Sequence, residues 1–575
     1  MPYSDEPGGP DHRVLPVTRY LDAVLRRASV PMEAEPFEPD WADQPRSHKS
    51  YREALGFPLP DSAPRAPAPL REALLAPPRD PGAGFTVPLL AGLLRYSYGW
   101  LSRRLQVTAD PGQGGREAYA HAAWARGSAA GGGLYPCELY WACGPGAGPL
   151  PGLYHYDQPA HALRRLATGD VSPRVREALQ PAPTGRQFLL VTVRFWQNAF
   201  KYGEFSYHCV TMDLGCLLRT WQTWAAACGI ELVPRLWFDE PELDRLLGLD
   251  PATESVLAVV PLPWERPTDE TRGKAATAEQ GDGRRGTAEG FTPPIAPPLA
   301  ERSRTVLRFP AAEAAHLAAA YDTGPCPAPG ALAEAAAEKP APPAPPAPSA
   351  TAAVPLPAPS PLTGGVTEAL TARRSSFGRF SAHRPLAAED LSALLEAAAA
   401  GRQLHTGAEP GGSAPPPLTR LAVSVQHVAG LRAGLHLYDS AAHALVPLSG
   451  PAPHPFLQRA YTLNNYNLEQ AAAVLLVLAR PHAVVAAAGP RGYRLLNAEV
   501  GAVAQAAYLA AADLGTGCGA ALGFDYEALH AALAPAAGQD TWPLLLLMTG
   551  HERPDRPRFD APLAPSPRTD RTDLP

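Results

Sequence analysis

The 575-residue chain carries 69 prolines, 50 glycines and 7 cysteines, with a net charge of −6. So small a charge for this length, with no lysine-arginine cluster interleaved with aromatics, argues against nucleic acid and an anionic membrane as partners. The opening MPYSDEPGGPDHR lacks a basic then apolar stretch, no apolar run reaches the ~18–20 residues of a spanning helix, and the cysteines show no CxxC spacing, so a cytoplasmic protein with reduced thiols and no metal site is expected.

Residues 1–45 read as an N-terminal extension whose one periodic stretch, Val17 to Val30, predicts a short helix. A first domain is expected over 46–267, opening at Arg46-Ser47-His48-Lys49. Leu89, Leu90, Leu93, Leu94, Tyr98 and Leu101 recur at helical spacing and predict a helix over Val87–Leu105. Arg126 to Cys143, RGSAAGGGLYPCELYWAC, joins a glycine cluster at 131–133, where backbone can come close to a flat or anionic group, to a strand over Leu134–Ala142. A hairpin follows in GLYHYDQPAHALRRL. Phe188 to Val193 predicts a buried strand, Lys201-Tyr202-Gly203-Glu204 a polar loop, and Tyr207 to Gly229 a long helix with an apolar face.

Beyond Pro261 the composition collapses, and 268–365 reads as a linker with a polyproline-rich spacer over Pro340–Pro361; one island, Ser303–Tyr321, is apolar enough to dock on a domain. A second domain is expected over 366–560, with a helix after Pro385-Leu386 carrying acids in its first turn, and a disordered tail at 561–575. Sliding the chain along itself by 286 positions brings Gly203 onto Gly489, Tyr207 onto Tyr493, Asp213 onto Glu499, Gly215 onto Gly501, Gly229 onto Gly515 and Phe238-Asp239 onto Phe524-Asp525. The hairpin recurs as GLHLYDSAAHALVPL. Such agreement in one ungapped register indicates two copies of one domain. They differ at the loop, where Lys201 and Tyr202 meet Ala487 and Ala488.

The order of RRSSFGRF, a glycine-rich loop before a strand, KYGEFSYH, the helix and turn GYRLLNAEVGAVAQAAYLAAADLGTGCGAALGFD, and a terminal strand with arginine resembles the FMN-dependent nitroreductase superfamily. Within it, RGSAAGGGLYPCELY, GLYHYD and the KYGE loop are similar to the SagB-type (ThcOx) peptide dehydrogenases, which oxidise azoline rings in ribosomally made peptides. The resemblance implies an α+β fold, two tandem domains of mixed β-sheet flanked by helices that form an intramolecular pseudo-dimer, with FMN between them. It implies a precursor peptide carrying azolines as substrate, a cyclodehydratase as a further partner, and either a monomeric pseudo-dimer or a higher homo-oligomer.

By the same resemblance the second copy supplies Arg373, Arg374, Ser375, Arg553 and Arg558 to the phosphate, backbone donors at Gly517 and Cys518, and the loop Gly411, Gly412 and Ser413. The first supplies Arg46, Ser47, Lys49 and Arg266, with Arg126, Ser128, Gly131 and Gly132 on its loop. The usual Pro-Ser of that loop is replaced by Ala129-Ala130 and by Pro410-Gly411, which leaves ring contacts to backbone groups. Loss of a carbon-bound proton needs a base, and Tyr202 is expected to serve, its phenolate favoured by Lys201, with Glu204 orienting the pair. Two other readings stay open: an NAD(P)H-dependent nitro or quinone reductase, and a flavin-poor scaffold of a peptide-modifying complex. Trp221, Trp224 and His208 are expected to be structural.

Overall fold

The structure, a computed structural model, describes residues 13–35, 37–61, 66–76, 83–107, 120–265, 295–322, 324–328, 330–337, 353–376, 378–404, 406, 416–448, 453–463, 465–553 and 559–563. The first half runs through α1 (Leu15–Arg26), β1 (Leu55–Pro58), α2 (Leu70–Leu75), α3 (Val87–Tyr98), β2 (Ser102–Val107), β3 (Ala120–Ala125), β4 (Cys137–Cys143), β5 (Gly152–Asp157) and β6 (Ala162–Thr168). It continues with α4 (Ser172–Ala178), β7 (Gln187–Arg194), α5 (Phe195–Tyr202), α6 (Ser206–Ala227), α7 (Glu240–Leu247) and β8 (Glu254–Pro261). After α8 (Pro310–Ala320) the plan repeats in β9 (Val354–Pro355), α9 (Val366–Ala372), α10 (Ala388–Gly401), β10 (Thr419–Val425), β11 (Gly434–Asp439), β12 (Ala444–Pro447) and α11 (Pro453–Ala460). Last come β13 (Ala473–Ala479), α12 (Pro481–Ala488), α13 (Arg491–Asp513), β14 (Gly517–Ala521), α14 (Tyr526–Ala537), β15 (Trp542–Gly550) and β16 (Phe559–Pro562).

Each half is a sheet backed by its long helix, in the orders β1-β6-β5-β4-β7-β8 and β14-β15-β13-β10-β11-β12-β9. Every pairing between these strands is antiparallel, where mixed sheets were expected. Tight hairpins join β4-β5-β6, and the three helices between β7 and β8 bring the chain back in the opposite direction. Alternation along β4 sends Leu139, Trp141 and Cys143 into the main core and Tyr140 and Ala142 into a smaller one on the outer face. The main core is continuous through both halves.

The halves meet along α6 and α13. A Cβ on Gly215 would overlap the Ala498 carbonyl oxygen, and one on Gly501 would overlap that of Met212, which lies 286 positions before Ala498. Such reciprocity is the signature of a two-fold interface, here within one chain. Tyr207 and Tyr493 stack across it at 6.0 Å, and Tyr20 of α1 stands edge-on to both.

Several expectations shift. The helix predicted over 87–105 stops at Tyr98, because Gly99 is extended and Ser102 starts a strand paired with β3. The extension and the linker are partly built into the fold: α1 packs on α8, α12 and α14, and β9 pairs with β12. Of the polyproline-rich spacer, 340–352 lies outside the described residues. All seven cysteines are free, five of them buried. One helix, Arg491–Asp513, is long and apolar enough to cross a membrane by composition, and 94% of its apolar window is buried inside the protein.

Candidate active site between the two halves

The α9 helix ends at Ala372, and the next residues turn toward the first half. Arg373 is 5% exposed and donates from Nη2 to the carbonyl of Arg126 at 2.8 Å; Arg126, itself 3% exposed, lies 4.6 and 4.3 Å from the ring centroids of Tyr98 and Tyr135. Arg104 donates to the Arg373 carbonyl and pairs with Asp560 of β16. Ser376 N–H donates to the Cys518 carbonyl at 2.9 Å, and a side chain on Gly519 would press on the Ser376 hydroxyl at 3.0 Å. Among the described residues neither buried guanidinium is bonded to a carboxylate, and Arg126 Nε and Nη1, Arg373 Nε and Ser376 Oγ are buried without a hydrogen-bond partner. Buried cations and hydroxyls left this way are costly unless an anion satisfies them. The residues therefore fit the phosphate of a flavin.

From Arg126 the first-half loop runs along α6. Gln505 of α13 holds it at both Ala129 N–H (2.9 Å) and Gly127 C=O (3.1 Å), and Ser128 Oγ donates to Thr220 Oγ1 rather than pointing out of the loop. Gly131 N–H donates to Asp213 Oδ1 at 2.7 Å. Burial pushes the Asp213 carboxyl up to about 7, against the pull of the Gly131 and Asn198 donors. Gly132 has φ +63°; a side chain there would run into the Tyr202 hydroxyl and come within 2.9 Å of Lys201 Nζ. The glycine is what lets loop and phenol meet.

Lys201 and Tyr202 form the last turn of α5 rather than a loop, and Gly203 at φ +54° turns the chain away into a single 3₁₀ turn. Lys201 Nζ sits 4.9 Å from the centroid of its neighbour's ring. Burial lowers the Lys201 pKa from its usual 10.5 and raises that of Tyr202 well above 10, with Tyr466 of the second half among the groups opposing a phenolate. The expected activation of Tyr202 by Lys201 is therefore not what this geometry produces: desolvation dominates, and it favours a neutral amine beside a neutral phenol. Glu204 also departs from its expected role. Its carboxylate accepts from Ala311 and Ala312 N–H and so caps α8. The pair borders a cleft of about 330 Å³, lined also by Phe205, Arg27, Pro31, Met32, Glu33 and Phe37.

The described members of the first-half phosphate set, Arg46, Ser47 and Lys49, are engaged elsewhere. Lys49 Nζ is 2.7 Å from Glu254 and bonded to Tyr140, Arg46 is tied to Glu301 and Ala300, and Ser47 meets His48. Arg374 pairs with Glu552, and Arg553 donates to the Phe380 carbonyl. Cys518 is buried in β14, and Gly517 packs on Glu552 and Phe380. Arg266, Gly411, Gly412, Ser413 and Arg558 lie outside the described residues. Trp221 and Trp224 are fully buried, and His208, its pKa lowered by burial to about 3, bonds Tyr493 across the interface. Among the described residues no group of three His, Cys, Asp or Glu is placed to hold a metal. The reading by residue type missed Gln505, Arg104, Ser376 and Tyr466. Asp213 alone had a signal, its alignment with Glu499, which grips Leu418 and Thr419 N–H in the same manner.

Residues 370–551 match the Nitroreductase family. A crystal structure named as a nitroreductase from Anabaena variabilis superposes with a TM-score of 0.64 at 21% identity, over 94% of this chain and 99% of that one, and so shares the two-half fold. A nitroreductase structure from Ralstonia eutropha (18% identity, 41% of this chain and 100% of that one, TM-score 0.28) and a chain of the E. coli microcin synthetase McbBCD complex with truncated pro-MccB17 bound (14%, 45% and 95%, 0.25) are too distant in score to carry an argument. No curated protein matches.

Proposed function

We propose that this chain is an FMN-dependent dehydrogenase that oxidises azoline rings to azoles in a ribosomally made peptide. The nitroreductase-family domain at 370–551 supports a flavin oxidoreductase, since members of that family generally are. The observation that carries the finer reading is the placement of Lys201 and Tyr202 against Gly132, on the same loop that reaches back to the buried Arg126 and Arg373. Arg126, Arg373, Ser375 and Ser376 would hold the phosphate, with backbone at Ala129 and Ala130 along the ring.

FMN, when bound, supplies the two-electron acceptor for the hydride. The chain supplies the rest. Lys201, its pKa lowered by burial, takes the carbon-bound proton. Tyr202, kept as a phenol, donates a hydrogen bond to the substrate beside it. Gly132 fixes how near the pair comes to the loop, and Gln505 and Asp213 fix the loop.

The test uses the purified full chain and a synthetic peptide with one thiazoline. Loss of two hydrogens from the peptide by mass spectrometry, abolished in Lys201→Met with flavin retained, is the expected result. Rapid bleaching of the flavin by NADPH with turnover of nitroaromatics and none of the thiazoline would instead select the reductase; a colourless protein would select the scaffold.

A further inference from the structure

The cleft before Lys201 and Tyr202 is closed by a segment that precedes the first half in sequence. Arg27, Pro31, Met32, Glu33 and Phe37 line it together with the pair and Phe205. The segment is fastened at several points. Arg27 donates from Nη2 to the Leu522 carbonyl at 2.8 Å and lies 3.7 Å over the Phe205 ring. Ser29 donates to Glu527 of α14 at 2.7 Å, Glu33 accepts from Glu204 N–H at 3.0 Å, and Phe37 meets Phe309 edge-on at 5.3 Å. Those anchors belong to both halves and to the segment leading into α8, so the wall is part of the fold.

We infer that Pro31, Met32, Glu33 and Phe37 are the specificity wall of the substrate site. Met32 and Phe37 receive the side chain next to the reacting ring, and Glu33 is a positioning residue that holds the turn after Lys201-Tyr202 through Glu204 N–H. The inference rests on the function proposed above and adds the substrate class. A cavity of about 330 Å³ lies at the small end of ligand sites and admits a ring with its immediate neighbours. Its wall is apolar at Pro31, Met32 and Phe37, with Phe205 facing them, and the opposite charges of Arg27 and Glu33 flank it. The matching ligand is an extended, uncharged peptide segment with an apolar residue beside the azoline; an acidic one there would lose water against Met32 and Phe37 and meet the Glu33 carboxylate beside them.

The test compares two synthetic pentapeptides with a central thiazoline, flanked by leucine or by aspartate, and titrates the corresponding thiazole peptides, which cannot react. In the full-length protein the leucine peptide should be favoured roughly tenfold or more in kcat/KM. Met32→Ala and Phe37→Ala should erase most of that preference through KM with flavin still bound. Met32→Trp, which fills the cleft, should block thiazole binding. Wild-type oxidation with the same KM for both peptides, unmoved by these substitutions, overturns the inference and leaves the proposed function standing. A yellow wild-type protein that neither oxidises nor binds any of the four peptides overturns both. If the alanine variants lose flavin, Met32→Leu and Phe37→Leu are read in their place, with an altered preference supporting the wall and an unaltered one refuting it.

Discussion

Among the described residues no carboxylate pairs with Lys201; Cys209 acts to raise its pKa, and burial keeps that thiol neutral. A base with a lowered pKa works better as pH rises through it, so kcat/KM for a thiazoline peptide should climb with pH and level off below 10.5. Lys201→Ala should remove the climb and cost about 10²-fold or more in rate, as read from a pH profile of wild type and variant. Tyr202→Phe should keep flavin, keep the climb and lower the plateau, which separates proton acceptance from hydrogen bonding. Asp213 runs the other way. Its folded pKa of about 7 exceeds the usual 3.8, so the stability it contributes is full below ~4 and is lost as pH rises to about 7. Raising a carboxyl from 3.8 to about 7 corresponds to about 4 kcal/mol as an order of magnitude. Asp213→Asn preserves an acceptor for Gly131 N–H and should flatten the fall of the melting temperature between pH 4 and 8. Glu499 and Asp244, also held near 7 by burial, keep part of the slope in the variant.

At the scale of elements, the glycines that gave the 286-residue register away are the ones that let α6 and α13 touch. Alanine inside a helix is ordinarily worth about 1 kcal/mol over glycine. Here a methyl at 215 or 501 would strike a carbonyl of the other helix, and since backbone cannot rotate aside, Gly215→Ala and Gly501→Ala should each destabilise by roughly 1–3 kcal/mol in a denaturant titration. Steric need at the two-fold axis is why these residues could be read from sequence. The same holds for the hairpin, where Asp157 and Asp439 bond the turn that follows each of them. What was illegible depends on contacts far along the chain. The docking of α8 rests on Glu204 reaching its first turn, and β9 is a strand only because β12 offers an edge. Propensity and periodicity carry no trace of either.

For the whole molecule, the two copies have drifted apart where the two-fold axis should make them alike. Arg494 is buried against Glu240, whereas their counterparts 286 positions away, His208 and Tyr526, meet as rings at 6.4 Å. Lys201 and Tyr202 of the first copy have as their counterparts in the second the small residues Ala487 and Ala488. The site was legible in sequence only in part, because a resemblance can align motifs but cannot tell that Lys49 will be spent on Glu254 in the outer core of the first sheet. With Lys49 spent on Glu254, Arg46 held by Glu301 and Ala300, and Ala487 and Ala488 aligned with Lys201 and Tyr202, the function proposed above calls for one flavin site in the duplicated fold. Flavin released by denaturation should therefore amount to one FMN per chain. Arg373→Ala, which removes one of the two buried guanidinium groups, should release it, while Lys49→Ala should leave the flavin in place and lower the melting temperature by stranding Glu254. Two FMN per chain, or loss of flavin in the Lys49 variant at a temperature where it is folded, would show that the second crevice is a site as well.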